Sequence, residues 1–83
     1  MLKINELQKA IGKAGKDTIM GLYNHMNYSE KEDINILLNR EEKCCSADNI
    51  KEILTNKENT SLLYDIYKYA EEAEKRDLEI LSK

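Results

Sequence analysis

Apolar residues recur along most of this chain every three or four positions, which is the spacing of one face of an α-helix. The longest such stretch, residues 59–81, contains neither Gly nor Pro and opens with Asn-Thr-Ser, three residues that cap helices well. Its apolar positions are Leu62, Leu63, Ile66, Tyr67, Ala70, Ala73, Leu78, Ile80 and Leu81. The pattern predicts one long closing helix of about 21 residues, roughly 31 Å at 1.5 Å per residue. That is about the width of a domain of this size, so the charged second half is expected to project.

Four shorter apolar segments precede the closing helix, and polar residues separate them. The expected boundary residues are, in chain order, Gly15 after the first helix, Asp17 before the second, Ser29 with Glu32 as the capping box of the third, and Ser46 before the fourth. The pattern therefore predicts an all-α fold, a small bundle of four to five helices with a long C-terminal helix, in a single domain over residues 1–83.

The composition supports this fold class and indicates a source. The chain of 83 residues contains no Pro and no Val, while Lys, Glu and Leu, which are good helix formers, are abundant. The absence of Val removes a main strand-forming residue. Lys, Asn and Ile have A/T-rich codons, so their abundance favours a low-GC bacterium, or a phage or other mobile element of one, as the source.

Charge is unevenly distributed along the chain. Residues 1–28 contain four lysines and two acids, a net charge of +2, so the total of −3 leaves −5 for residues 29–83. Phosphate contacts supply most non-specific affinity for nucleic acid, so an acidic chain is better suited to a protein partner with a basic surface.

The two cysteines, Cys44 and Cys45, are adjacent, and a disulfide between neighbours is strained. Two free thiols indicate a reducing compartment. The start of the sequence lacks the apolar run of a signal peptide, and no stretch approaches the ~18 apolar residues of a membrane span. We therefore expect a cytoplasmic protein that makes no membrane contact.

Catalytic and metal-binding patterns are absent from the sequence. His25 is the only histidine, and with two adjacent cysteines it does not form the paired ligand clusters of a zinc site. Neighbouring acids such as Glu41 and Glu42 do not face each other on a helix, and no Gly-rich phosphate loop occurs. The sequence predicts no catalytic residue, no metal, no cofactor and no enzyme activity.

The leading hypothesis is a regulator, inhibitor or adaptor that binds a macromolecular partner through an acidic helical surface. Exposed Tyr is enriched at binding hot spots, and the closing helix carries three tyrosines among acids. The residues predicted to bind the partner are Tyr64, Tyr69, Glu71, Glu72, Glu74, Leu78 and Leu81. A second copy of the chain is an alternative partner for this surface.

The alternative hypothesis is a helix-turn-helix DNA-binding regulator that dimerises through its closing helix. Two helix pairs have suitable lengths, residues 4–26 and residues 30–56. Lys9, Lys13 and Lys16 recur at i, i+4 and i+7 and would form one basic stripe on the first helix, able to contact DNA phosphates.

Overall fold

The computed structural model describes residues 2–83, and within that range every regular element is helical. The six α-helices are α1 (Ile4–Lys13), α2 (Lys16–His25), α3 (Tyr28–Arg40), α4 (Ala47–Thr55), α5 (Thr60–Lys68) and α6 (Glu72–Leu81), with a 3-10 turn at Lys57–Asn59 before α5. The all-α class is confirmed, but the described residues form six helices where the sequence predicts four to five.

Helix α4 lies at the centre of the packing and contacts α1, α2, α3 and α5. It can do so because its apolar residues cover more than one face: Ala47, Ile50, Ile53 and Leu54 are all buried. The remaining contacts close the bundle, since α6 packs against both α1 and α2, and α5 packs against α1. The fully buried large side chains are Leu7, Ile11, Ile19, Leu22, Ile34, Leu38, Ile50, Leu54, Leu63 and Leu78.

The prediction of one long closing helix is wrong, because the chain leaves helical geometry between Tyr69 and Glu71. Glu71 is extended, with φ −69° and ψ 156°, and caps a new helix in which its backbone N–H donates to Glu74 Oε1 at 3.1 Å. The turn lets α6 fold back on α1 and α2 instead of projecting. This buries Leu78, and full burial of a Leu side chain contributes about 1.5–3 kcal/mol. The capping box meanwhile replaces part of the hydrogen bonding lost at the break.

The start of α3 also differs from the sequence prediction. Asn27, not Ser29, is the N-cap: its Oδ1 accepts from Glu30 N at 2.8 Å, and its own N–H donates to Glu30 Oε1 at 3.1 Å. Two overlapping capping boxes compete here, and Asn caps at least as well as Ser while giving a longer helix. The cap of α4 is confirmed, since Ser46 Oγ accepts from Asn49 N at 3.3 Å.

The turn between α1 and α2 lies within one or two residues of its predicted position. Helix α1 ends at Lys13, and Gly15 is the N-cap of α2. Asp17 was predicted to cap α2, but it lies in the first turn of that helix, where the helix dipole still favours a carboxylate.

Candidate protein-interaction surface

The structure separates the seven residues that the sequence placed on one binding surface. Exposed residues include Tyr69 (66% exposed) and the carboxylates of Glu71 and Glu72, while Tyr64 is 36% exposed and Leu81 is half-buried. Glu74 and Leu78 are buried, so the prediction that both are exposed on the binding surface is wrong. Both belong to the face of α6 that turns inward once the chain bends.

Two inter-helix turns meet at one end of the bundle, and His25 connects them. We call this region the turn junction; it comprises the α2–α3 turn with its flanking residues 25–28 and the α5–α6 turn with residues 69–74. His25 Nδ1 lies 2.8 Å from Glu74 Oε2, and His25 Nε2 lies 4.0 Å from Glu71 Oε1. Since Glu71 and Glu74 are 46 and 49 residues from His25 in sequence, no local pattern indicates these contacts.

The electrostatics of this contact favour a charged histidine. His25 lies in the last turn of α2, where the dipole favours a cation, and Glu74 lies in the first turn of α6, where it favours an anion. The hydrogen bond to Glu74 raises the pKa of His25, and the charges of Glu71 and Glu74 raise it further. Desolvation and the nearby Lys31 oppose the increase but do not cancel it.

A small cavity of about 10 Å³ lies at the turn junction, between α2, α3 and the α5–α6 turn. It has room for about one water molecule. Its apolar lining comes from Leu22, Met26, Ile66 and Ala70, and its polar lining from His25, Glu30, Tyr69 and Glu74. The side chain of Glu30 is buried, and its Oε2 has no hydrogen-bond partner.

Tyr28 is the functional candidate that the sequence interpretation missed. It is the first residue of α3 and is 80% exposed, more than any other large hydrophobic or aromatic side chain in residues 2–83. The signal available in the sequence was the apolar spacing of Ile34 and Leu38, which are buried in α3, because position 28 lies off the face that they define. Tyr28 and Tyr69 thus belong to the two turns that His25 connects.

The predicted basic stripe does not lie on one helix. Lys9 and Lys13 are on α1, whereas Lys16 begins α2 after the intervening turn. The prediction that all three form one stripe on the first helix is therefore wrong. All three lysines are exposed, and Lys13 Nζ donates to the backbone oxygen of Lys83 at 3.0 Å.

The helix pairs considered for DNA binding are also constrained by their packing. Helix α4, the second helix of the pair over residues 30–56, is the central helix of the bundle. Its outward side presents Asp48 and Glu52, and Glu52 pairs with Lys43 at 2.9 Å. Carboxylates at these positions oppose contact with DNA phosphates. The DNA-binding alternative stays a prediction.

Cys44 and Cys45 are free and exposed on the α3–α4 turn. Residues 2–83 contain no group of three or more His, Cys, Asp or Glu side chains arranged to hold a metal ion. None of the helices in this range combines the length and apolar character needed to cross a membrane.

Residues 2–83 form an all-α fold of six helices, with Tyr28 and Tyr69 exposed on the two turns that meet at one end of the bundle. No family model matches the chain, and searches of curated proteins and of solved structures find no match.

Proposed function

We propose that this chain is a small non-enzymatic interaction protein whose turn junction binds a basic surface of a protein partner. The observation that carries the proposal is the exposure of two aromatic side chains, Tyr28 at 80% and Tyr69 at 66%, on the two turns that His25 connects. Tyrosine is enriched among residues that dominate binding energy, because it buries a large area while its hydroxyl keeps a hydrogen-bond partner.

The backbone around both tyrosines is held by side-chain hydrogen bonds. The capping box of Asn27 and Glu30 fixes the chain before Tyr28, and the box of Glu71 and Glu74 fixes the chain after Tyr69. The His25–Glu74 pair then holds the two turns against each other. A surface ordered before binding loses less conformational entropy when the partner arrives, which favours affinity.

Charge favours a basic partner. Glu71 and Glu72 are exposed beside Tyr69, and residues 29–83 carry a net charge of −5. Complementary potentials increase the rate of association and discriminate against acidic partners. Basic surfaces that bind nucleic acid belong to this class of partner.

The size of the cavity at the turn junction does not favour a substrate site there. Ligand pockets usually enclose about 300–1,000 Å³. The cavity where His25, Glu30 and Glu74 converge has about 10 Å³, which is too small for an organic substrate.

The proposal is tested by affinity capture with the tagged chain from extracts of low-GC bacteria, followed by mass spectrometry and measurement of Kd with the purified partner. Tyr28→Ala and Tyr69→Ala should each raise Kd at least tenfold, since truncation of a hot-spot residue costs about 2 kcal/mol or more. Tyr64→Ala is the matched control, because Tyr64 lies on α5 outside the turn junction and should change Kd less than threefold.

Failure to isolate a protein whose binding depends on Tyr28 or Tyr69 would overturn the proposal. The DNA-binding alternative instead predicts a salt-dependent gel shift that is lost when Lys9, Lys13 and Lys16 are changed to Glu. The same purified protein serves both assays.

A further inference from the structure

Two acids that line the cavity at the turn junction occupy equivalent positions in their helices, but only one of them has a counter-ion. Glu30 and Glu74 are each the third helical residue of a capping box, and each uses Oε1 to accept the N–H of its N-cap residue. Oε2 of Glu74 is paired with His25 at 2.8 Å. Oε2 of Glu30 has no hydrogen-bond partner, although Glu30 is only 7% exposed and lines the cavity.

The unpaired oxygen is energetically unfavourable in the isolated protein. A buried acceptor without a donor costs about 1–3 kcal/mol, and more when the group is charged. The described residues contain one other buried side-chain atom without a partner, the amide nitrogen of Gln8, which is neutral. Glu30 is therefore the buried acceptor that gains most from a cationic donor.

The charges that line the cavity favour a cation. Glu30 and Glu74 are the two carboxylates in its lining, and His25 is the one basic side chain there. With His25 protonated, the carboxylates still exceed it by one. An incoming cation would bring the group close to neutrality.

The size and lining of the cavity select an ammonium group. A cavity of about 10 Å³ accepts one group of the size of a water molecule, which an ammonium group matches and a planar guanidinium exceeds. Leu22, Met26 and Ile66 form the apolar part of the lining, and the methylene stem stays outside, at the mouth of the cavity. The exposed side chains of His25 and Tyr69 line the cavity as well, so it is reached from the surface proposed for the partner.

The geometry points to a specific form of recognition: the cavity receives the ammonium group of a lysine side chain of the partner, and Glu30 Oε2 accepts its hydrogen bond. This inference rests on the proposed function and names the chemistry by which the basic partner is recognised. Tyr69 lines the cavity, and the lysine stem lies beside it at the mouth. The lysine is thus the counter-ion of Glu30, as His25 is the counter-ion of Glu74.

The experiment uses Nα-acetyl-lysine methylamide as the probe and two-dimensional NMR of the full chain as the readout. We expect saturable shifts of the backbone amides of Met26 and Ala70, which line the cavity. The Nε-acetylated analogue has no charge and should give no saturable shift, and the arginine analogue should bind at least tenfold more weakly.

Glu30→Gln should abolish the saturable shifts while keeping the capping box, because Gln still accepts from Asn27 N. Its own amide spectrum shows whether the fold is kept. Glu32→Gln is the matched control: it removes an exposed acid of the same helix and should leave probe binding within twofold of the wild type.

Three outcomes would overturn the inference: no saturable shift with the lysine probe, which means that the cavity holds water only; equal binding of the arginine analogue; or unchanged binding in Glu30→Gln. A partner that depends on Tyr28 and Tyr69 but not on Glu30 would leave the proposed function standing and remove the lysine site. Probe binding without such a partner would support the cavity chemistry and remove the proposed function.

Discussion

Truncation of Leu78 tests the largest difference between the sequence pattern and the fold, the turn between α5 and α6. Leu78 is 1% exposed in the core, whereas on a straight helix over residues 59–81 it would lie near a solvated end. Leu→Ala at a buried site costs about 2–5 kcal/mol, from lost transfer energy and the cavity left behind. We expect a loss of about 3 kcal/mol for Leu78→Ala.

This loss is large for a domain of this size. At about 0.05–0.15 kcal/mol per residue, a chain of 83 residues has a free energy of unfolding of about 4–12 kcal/mol. A change of about 3 kcal/mol lowers Tm by roughly 12–24 °C in a domain of 60–100 residues. Thermal and urea unfolding, followed by circular dichroism, measure both quantities.

Ile80→Ala is the matched control, because Ile80 lies on the same helix and is 66% exposed. Its truncation should change the free energy of unfolding by no more than about 0.5 kcal/mol. If the two variants lose equally little stability, then α6 does not pack on α1 and α2, and the turn junction does not exist as described.

Three further predictions concern the turn junction. Asn27→Ala should lower the free energy of unfolding by about 0.5–2 kcal/mol, while Ser29→Ala should leave it almost unchanged; urea unfolding of both variants decides which residue caps α3. His25 has a pKa raised above 6.5 in the folded protein, so its contribution to stability is complete below pH 6.5 and is lost as the pH rises through the folded value. The difference in urea midpoint between wild type and His25→Gln should therefore shrink from pH 5.5 to pH 9, and a constant difference would contradict the ion pair with Glu74. Glu30→Gln should raise the free energy of unfolding by about 1 kcal/mol in the same assay, because an unpaired neutral amide at this buried position costs less than an unpaired charge.

Helix positions and buried faces could be predicted from the sequence because both depend on short-range spacing. The inward residues Ile34 and Leu38 of α3, and Ile50, Ile53 and Leu54 of α4, follow from apolar spacing alone. Where a single cap residue is available, as at Ser46, the helix start is predicted as well. Where two boxes overlap, as at Asn27 and Ser29, local sequence does not choose between them, and the longer helix forms.

The turn at Ala70 could not be predicted because its cause is not local. The residues around it favour helix, and no Gly or Pro marks a break. The turn forms because it lets Leu78 reach the core between α1 and α2, and that gain exists only once those helices are in place. Glu71 and Glu74 form the capping box that starts α6, but this spacing predicts a helix start only weakly, because Glu is rarely an N-cap.

The candidate site was missed for the same reason. An acid in the first turn of a helix is usually solvated, and nothing in the sequence near Glu30 shows that the α5–α6 turn covers it. Tyr69 stays a predicted binding residue, but its neighbours in the cavity lining include residues of α2 and α3. A continuous helical face is thus replaced by a junction of two turns.

The effect of Glu30→Gln on stability and on binding together distinguishes a capping residue from a binding residue. A Glu whose role ends with the capping box can be replaced by Gln with little effect on either property, since both side chains accept from the N-cap N–H. A Glu that is kept unpaired for an incoming lysine gives opposite effects: the Gln variant is more stable alone and binds the lysine probe less. Sites that bind charged groups commonly reduce the stability of the free protein in this way. A gain in stability with a loss of binding therefore assigns Oε2 of Glu30 to the partner, whereas no change in either assigns Glu30 to the helix cap alone.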